Sequence, residues 1–290
     1  MRKPNKNDGI GYKVIYLVVA LVLAGGLFAW RGGYLDRFLV GTPLEQYAVG
    51  TQTDNKKTDS GNKNNKTVDT KSSDGGSADF QNIDWHWDPK ESPEYYKVLG
   101  KAVIDYQMEP GNIEYAGIDD LGRTLRVNGC ITYDMWEASA GWRQNFSADG
   151  NKIPGMASNK QGVIYSADGS ESKPIWLLNK SHLISDSLGA ESSRRSAICG
   201  TRTENVGSGK GGAVYFETIA CDWVKEHKGA DDYLWYSAIP IYNGDELIPR
   251  ATVINMKSSD GEIDMQGLRY NTLLYYDFDY YTGELTYTGK

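Results

Sequence analysis

A chain of 290 residues with 40% hydrophobic and 24% charged residues has an ordinary globular composition and room for one large domain or two small ones. Its net charge of −7 excludes a generally basic surface of the histone or ribosomal kind, although a local cationic groove can still bind phosphate. Twenty tyrosines and eight tryptophans favour β-rich structure. The three cysteines are too few for a disulfide scaffold and match no zinc pattern. One pair could form outside the cell, and the sequence does not say which.

The N-terminal region predicts a membrane anchor. Residues 14–30 read VIYLVVALVLAGGLFAW, carry no charge and follow a segment, residues 1–13, with four basic residues and one acid. As a helix this stretch spans ~26 Å, enough for a bilayer core. The preceding positive charges predict a cytoplasmic tail and an exported remainder. A cleavable signal peptide, which would leave the protein secreted, is the competing interpretation, because alanines near the end of the stretch could serve a peptidase.

A flexible connection is predicted between the anchor and a folded domain. Residues 31–78 begin with a short juxtamembrane segment, and residues 50–78 contain one valine, no aromatic residue and mostly Asn, Lys, Thr, Ser, Asp and Gly. Such a sequence cannot bury enough apolar surface to offset the entropy of ordering it. The folded domain is therefore expected over residues 79–290.

The patterns within this domain predict a mixture of helices and strands. Residues 92–108 have helical spacing with Ser92 as N-cap and Pro93 at the first position, and residues 212–227 form the strongest helix candidate. Two β-rich runs flank the Asn-Gly of residues 243–245, and a second pair of strands is predicted around residues 282–283. No internal repeat is evident. The expected fold class is α+β with antiparallel strands.

One histidine, His182, has a context that suggests chemistry. It follows a short apolar stretch and the polar residues Asn179, Lys180 and Ser181. Taken alone, such a histidine is more often structural than catalytic. A histidine that does not bind metal can also deprotonate water, so the residues that follow decide between the two interpretations.

The sequence after His182 contains the other parts of a phosphodiester-hydrolysing centre. A basic loop with Arg194 and Arg195 is followed by Glu204-Asn205, a glycine-rich turn and a helix that carries Glu217. An asparagine carbonyl suits a hard cation such as Mg²⁺, which would offset charge on a phosphoryl group. Nearby basic residues would hold the flanking phosphates; the candidates are Lys180, Arg194, Arg195 and Arg202.

In these stretches the chain resembles the DNA/RNA non-specific endonucleases of the ββα-metal superfamily, especially streptococcal-type DNA-entry and secreted nucleases. The family pattern is an Asp or Asn, a basic residue, a small residue, the catalytic histidine and Leu, which residues 179–183 match. The resemblance implies that Asn205 is the metal ligand, that His182 is the general base and that Glu217 contacts water on the metal. The implied cofactor is Mg²⁺, with Mn²⁺ as an alternative, and the implied substrate is DNA, with RNA as a second candidate. The resemblance covers roughly residues 115–265.

Two departures from the family pattern matter. The family has an Asn nine positions before the ligand Asn, where this chain has Ser196, and that residue supports the geometry of the site. A serine can still donate and accept a hydrogen bond. Family members also use an arginine from an earlier strand to hold phosphate, and Arg123, Arg126 and Arg143 are equivalent candidates on sequence alone.

Three functions are therefore compared. The first is a membrane-anchored, metal-dependent nuclease. The second is a nuclease-fold protein that binds DNA for uptake with impaired turnover, which only Ser196 favours. The third is an exported wall or glycan-binding protein, which the aromatic content permits although no pair of acids is arranged for glycan cleavage. The intact His182 and Asn205 favour the nuclease.

Overall fold

The computed structural model describes residues 80, 83–139 and 145–290. The predicted anchor over residues 14–30, the tether of residues 31–78 and Arg143 lie outside these ranges. Among the described residues, no helix has the length and apolar character needed to cross a membrane.

The largest element is a six-stranded antiparallel sheet. Its strands are β1 (Tyr96–Gly100), β2 (Asn112–Tyr115), β3 (Val127–Ile131), β8 (Leu234–Ile241), β9 (Ala251–Ser258) and β10 (Asp264–Tyr270). They run in the spatial order β1-β10-β9-β8-β3-β2. The long central strands β8 and β9 pair over their whole length, from Leu234 opposite Ser258 to Ile241 opposite Ala251.

Shorter elements surround this sheet. The helices are α1 (Tyr133–Ser139), α2 (Arg202–Val206) and α3 (Gly212–Glu226). Three two-stranded sheets pair β4 (Gln161–Gly162) with β5 (Ile175–Trp176), β6 (Leu178–His182) with β7 (Ala197–Thr201), and β11 (Tyr276–Phe278) with β12 (Leu285–Tyr287). The mixture of helices and antiparallel strands confirms the α+β class that the sequence predicts.

The alternation of side chains along β8 and β9 gives the six-stranded sheet two buried faces. On one face Tyr236 and Ile254 pack with Phe216 and Val224 of α3. On the other face the neighbouring positions, including Val253, pack with Phe80 and partly buried tryptophans near the start of the domain. A further cluster lies between the β6–β7 hairpin and the C-terminal strands, and it contains Leu177, Leu178, Ala197, Cys199, Ile248, Leu273, Phe278 and Leu285. The β6–β7 hairpin thus packs on an apolar cluster of its own.

Most predicted elements are confirmed, and one is wrong. The helix predicted over residues 212–227 is α3, and the β-rich runs on either side of residues 243–245 and 282–283 are strands β8, β9, β11 and β12. Residues 92–108 form no helix: they contain strand β1, which pairs with β10. Tyr95 has a φ of 61°, which a right-handed helix cannot accommodate, and its ring stacks on Trp87 at 4.5 Å. Long-range pairing and aromatic packing therefore override the local helical spacing.

The three cysteines form no disulfide. Cys130, Cys199 and Cys221 are all buried as free thiols. Burial raises the pKa of the Cys199 thiol to about 12 and that of Cys130 to about 11, which keeps both protonated and unreactive.

Candidate active site

The candidate site is built on the β6–β7 hairpin and the helix that follows it. In the antiparallel register His182, the last residue of β6, lies opposite Ala197, the first residue of β7. Helix α2 begins directly after β7, because the Thr201 hydroxyl accepts a hydrogen bond from the Glu204 amide at 3.0 Å and caps the helix. Asn205 lies on this short helix. A hairpin followed by a helix thus carries the two main residues that the sequence singles out.

His182 is half-buried and held on several sides. Its Nε2 lies 2.9 Å from the hydroxyl of the buried Ser192, and the ring of Phe146 lies 4.8 Å from its own ring. The backbone carbonyl of His182 accepts a hydrogen bond from Nη1 of Arg269 at 3.2 Å. These contacts fix both the strand end and the orientation of the imidazole.

The surroundings of His182 favour the neutral imidazole. Burial lowers its pKa below the usual ~6.5, and the positive charge of Arg269 lowers the pKa further, whereas the carboxylate of Asp186 opposes the change. The side chain is therefore neutral at physiological pH, which is the form that can accept a proton.

Asn205 is linked to the histidine strand through Ser181. The buried hydroxyl of Ser181 donates to Oδ1 of Asn205 at 3.2 Å. An amide oxygen has two lone pairs, and this bond uses one of them. The second lone pair can bind a hard divalent cation, so the amide fits the role of a metal ligand. The residue next to His182 in the chain thus holds the candidate ligand.

A buried ion pair lies next to both candidates. Nε of Arg269 on β10 is 3.3 Å from Oε1 of Glu204, and both side chains are completely buried. Glu204 is adjacent to Asn205 in α2, and Arg269 bonds the carbonyl of His182. Through this ion pair and the hydrogen bond of Arg269 to His182, strand β10 of the six-stranded sheet is connected both to β6, which carries His182, and to α2, which carries Asn205.

Ser196 supports the loop between β6 and β7. Its buried hydroxyl accepts from the amide of Ser193 and donates to the Ser193 carbonyl, both at 2.9 Å, and its own carbonyl accepts from the Leu183 amide. The same loop carries Ser192, the neighbour of His182 Nε2. The serine donates and accepts one hydrogen bond, as the sequence predicts for this departure from the family pattern.

The basic candidates differ in what they contact. Nζ of Lys180 lies 5.0 Å from the Phe146 ring centroid, beside His182, while Nη2 of Arg194 donates to the Gly122 carbonyl at 2.8 Å. Arg195 forms a bidentate ion pair with Glu191, at 2.7 and 3.0 Å. The arginines of the basic loop are thus engaged within the protein, whereas Lys180 lies next to the candidate base.

Arg202 and Asn179 lie together beside the hairpin. Both line an open depression of about 510 Å³, together with Met156, Asn159, Trp176 and Leu178. Of the earlier-strand arginines, Arg123 is bound by Asp119 at 2.6 Å and Arg126 by Asp105. Both are committed to local ion pairs.

Glu217 lies on α3, as predicted, and is half-buried. Burial raises the pKa of the Tyr236 hydroxyl; the positive charge of Arg269 opposes this shift, and the carboxylates of Glu217 and Glu204 add to it. Glu217 is therefore in the same electrostatic environment as the ion pair beside His182.

Four residues at the site have no role that the sequence predicts: Phe146, Ser192, Glu204 and Arg269. Phe146 and Arg269 come from segments far along the chain, so no local pattern connects them with His182. From the sequence, Glu204 resembles an exposed helix residue. Only Gly200 indicates that the Glu204 side chain points inward, because any Cβ at that position would clash with the Glu204 carboxylate.

The hairpin that ends in His182, followed by a helix that carries Asn205, has the arrangement that the resemblance to a nuclease family predicts. The comparisons with known proteins agree with this class, although no family model matches the chain. The chain is similar to the structure of Sda1 nuclease with a bound zinc ion, with 30% identity and a TM-score of 0.62 over 69% of this chain and 99% of the other. It is also 28% identical over 242 residues to a deoxyribonuclease of Streptococcus dysgalactiae subsp. equisimilis, a match over 67% of this chain and 73% of the relative. The chain belongs to the DNA/RNA non-specific endonuclease family and is a nuclease.

Proposed function

We propose that the chain is a metal-dependent endonuclease that hydrolyses phosphodiester bonds of DNA at the cell surface without strong sequence preference, with RNA as a second substrate. The observation that carries this proposal is the position of His182, a half-buried histidine of lowered pKa at the end of β6, directly after Ser181, whose hydroxyl bonds the amide of Asn205. The nuclease similarity to Sda1 and to the streptococcal deoxyribonuclease supports the reaction class.

His182 is the general base in this proposal. Its Nε2 faces the Ser192 hydroxyl, and its lowered pKa keeps the ring neutral, so it can take a proton from a water molecule aligned with the phosphorus atom. Arg269 holds the backbone of the same residue and disfavours the imidazolium. Because a general base contributes roughly 10²–10⁴ in rate, removing this imidazole should cost that factor.

The metal in this proposal is Mg²⁺, with Mn²⁺ as an alternative, and Asn205 is the chain's direct ligand. The amide oxygen is held by Ser181 and has a second lone pair, which fits a hard cation that keeps most of its water ligands. The similar Sda1 structure was solved with a bound zinc ion, which supports a divalent cation as the cofactor. Such a cation would stabilise negative charge on the phosphoryl group. Glu217 is the candidate to orient its water ligands.

The chain's cations hold the flanking phosphates. Lys180 lies beside His182 across the Phe146 ring, and Arg202 begins the helix that carries Asn205, so these two are the favoured phosphate contacts. Arg194 and Arg195, which contact the Gly122 carbonyl and Glu191, are the other candidates. We rank them second because they lie in the loop between β6 and β7, whereas Lys180 and Arg202 lie on the strand of His182 and the helix of Asn205.

Anchoring is the second part of the proposal. The uncharged stretch of residues 14–30, preceded by four basic residues, supports a single membrane span with the nuclease domain outside the cell. Membrane fractionation of the full chain, followed by protease treatment of intact cells, tests this topology. A nuclease that appears only in the culture medium would instead support a cleaved signal peptide.

The experiment that tests the nuclease assignment incubates the full-length chain with supercoiled plasmid, with and without Mg²⁺. We expect metal-dependent nicking and smearing that His182→Ala and Asn205→Ala both lose. Matched controls are His86→Ala, because His86 is exposed, and Asn112→Ala, because its amide bonds only local carbonyls. Near-wild-type cleavage by His182→Ala would refute its role as base. Plasmid retention in a mobility shift without cleavage under any metal would favour a DNA-binding protein with impaired turnover.

A further inference from the structure

The open depression beside the β6–β7 hairpin has the chemistry of a nucleic-acid subsite. It measures about 510 Å³ and is lined by Trp176 from β5, Leu178 and Asn179 from β6, Arg202 from α2, and Met156 and Asn159. Trp176 exposes 56% of its surface, more than any other large hydrophobic side chain in the described part of the chain. An exposed indole, an amide and an arginine side chain therefore line one concavity.

The floor of this depression is held in place by hydrogen bonds to the backbone of residues 177 and 178. The amide side chain of Asn159 both donates to the Leu178 carbonyl and accepts from the Leu178 amide, each at 2.9 Å. On either side, the Leu177 amide donates to the Lys160 carbonyl at 3.0 Å, and the Arg202 amide donates to the Leu177 carbonyl at 2.7 Å. Trp176 is thus presented from a rigid segment, so little ordering entropy is lost when its ring binds a flat ligand.

The residue types match what single-stranded nucleic acid requires. An aromatic ring offers a stacking surface for any base, and arginine offers charge for the neighbouring phosphate. The Asn179 amide can bond a base edge or a phosphate oxygen. A lone exposed tryptophan needs no special explanation. Its position between an arginine and an asparagine in a concave surface is what distinguishes Trp176.

The depression adjoins the candidate metal ligand. Asn179 and Ser181 lie two residues apart on β6 and so point to the same side of the strand, ~7 Å apart along it. Ser181 bonds Asn205, and Arg202 lies three residues before Asn205 on the same helix, where side chains are neighbours. A nucleotide in the depression would therefore be next to the phosphate bound at the cation that Asn205 is proposed to hold.

We propose that this depression binds the nucleotide adjacent to the cleaved phosphate, with its unpaired base stacked on Trp176 and its phosphate on Arg202. This inference rests on the proposed function, because it places the subsite relative to Asn205. It makes the preferred substrate single-stranded or locally unpaired nucleic acid, since a base inside a duplex cannot reach the indole.

The test measures binding of two probes to the full-length chain that carries His182→Ala, so that nothing is cut. One probe is an oligodeoxythymidylate, and the other is an abasic oligomer of equal length with the same phosphates. Trp176→Ala should weaken binding of the oligothymidylate about 5- to 150-fold and leave the abasic oligomer unchanged. Trp176→Phe should restore most of the loss. Arg202→Ala should weaken both probes and reduce the salt dependence.

The control is Val98→Ala, an exposed apolar side chain (45%) on strand β1 of the six-stranded sheet, which should change neither affinity. In the active chain, Trp176→Ala should raise KM for single-stranded DNA and leave kcat within about twofold. Equal effects of Trp176→Ala on both probes, or none on either, would overturn the subsite. Plasmid cleavage by the wild-type chain distinguishes failure of the proposed function from failure of the subsite. Absence of cleavage would refute the nuclease mechanism. Normal cleavage with unchanged Trp176→Ala binding would refute only the subsite.

Discussion

The Glu204–Arg269 pair allows a direct measurement of what a fully buried ion pair contributes to this fold. Both side chains are completely buried, and neither carboxylate oxygen of Glu204 has a hydrogen bond of good geometry. Arg269→Met leaves that carboxylate buried in the core without its partner. We expect the free energy of unfolding to fall by about 3–5 kcal/mol.

The double variant Glu204→Leu/Arg269→Met separates the charge from the packing. Because the hydrogen bonds of the pair are incomplete, the attraction between the charges does not fully offset their desolvation. Replacing both with apolar groups of similar size should therefore be neutral, or stabilising by about 1–4 kcal/mol. Urea unfolding followed by tryptophan fluorescence, with an unchanged slope, gives the free energies of both variants.

Cleavage by the same variants tests whether the pair also positions the site. Arg269 bonds the His182 carbonyl and so holds the strand end that carries the proposed base; the double variant should therefore keep its stability and lose plasmid-cleaving activity. The matched control is Arg195→Met, whose partner Glu191 is partly exposed and whose loss should cost less than about 1 kcal/mol. A cost below about 1 kcal/mol for Arg269→Met, or a double variant as unstable as that single one, would refute the reasoning.

Three further outcomes are expected. Since burial and Arg269 lower the pKa of His182 and the neutral ring is the active form, the acid limb of kcat/KM should have its midpoint below ~6.5, and a midpoint above 7 in a pH–rate profile would contradict this. Ser196→Ala removes both side-chain bonds to Ser193, which should cost about 1 kcal/mol and lower Tm by about 2–4 °C in a thermal melt. Because all three cysteines are free thiols, dithiothreitol should leave Tm unchanged, whereas a drop would reveal a disulfide.

The sequence predicts the local unit of this site better than its surroundings. His182 at a strand end, Asn205 shortly after the paired strand and the helix with Glu217 are all encoded within about forty residues, and the structure has these elements in that order. The helix predicted over residues 92–108 fails, because pairing of β1 with β10 and stacking of Tyr95 on Trp87 are long-range contacts that helical spacing does not reveal.

Long-range contacts also give His182 the environment that the proposed general base requires. A histidine exposed at the end of a hairpin would have its ordinary pKa and would be charged for much of the acidic range. Phe146 and Ser192 cover its ring, and Arg269 reaches it from a strand of the other sheet. Arg269 in turn requires Glu204, because a completely buried guanidinium without a partner would cost too much desolvation free energy. Glu204, the residue next to the proposed metal ligand, therefore determines whether Arg269 can remain in the core, and the strand of His182 and the helix of Asn205 both depend on this buried contact.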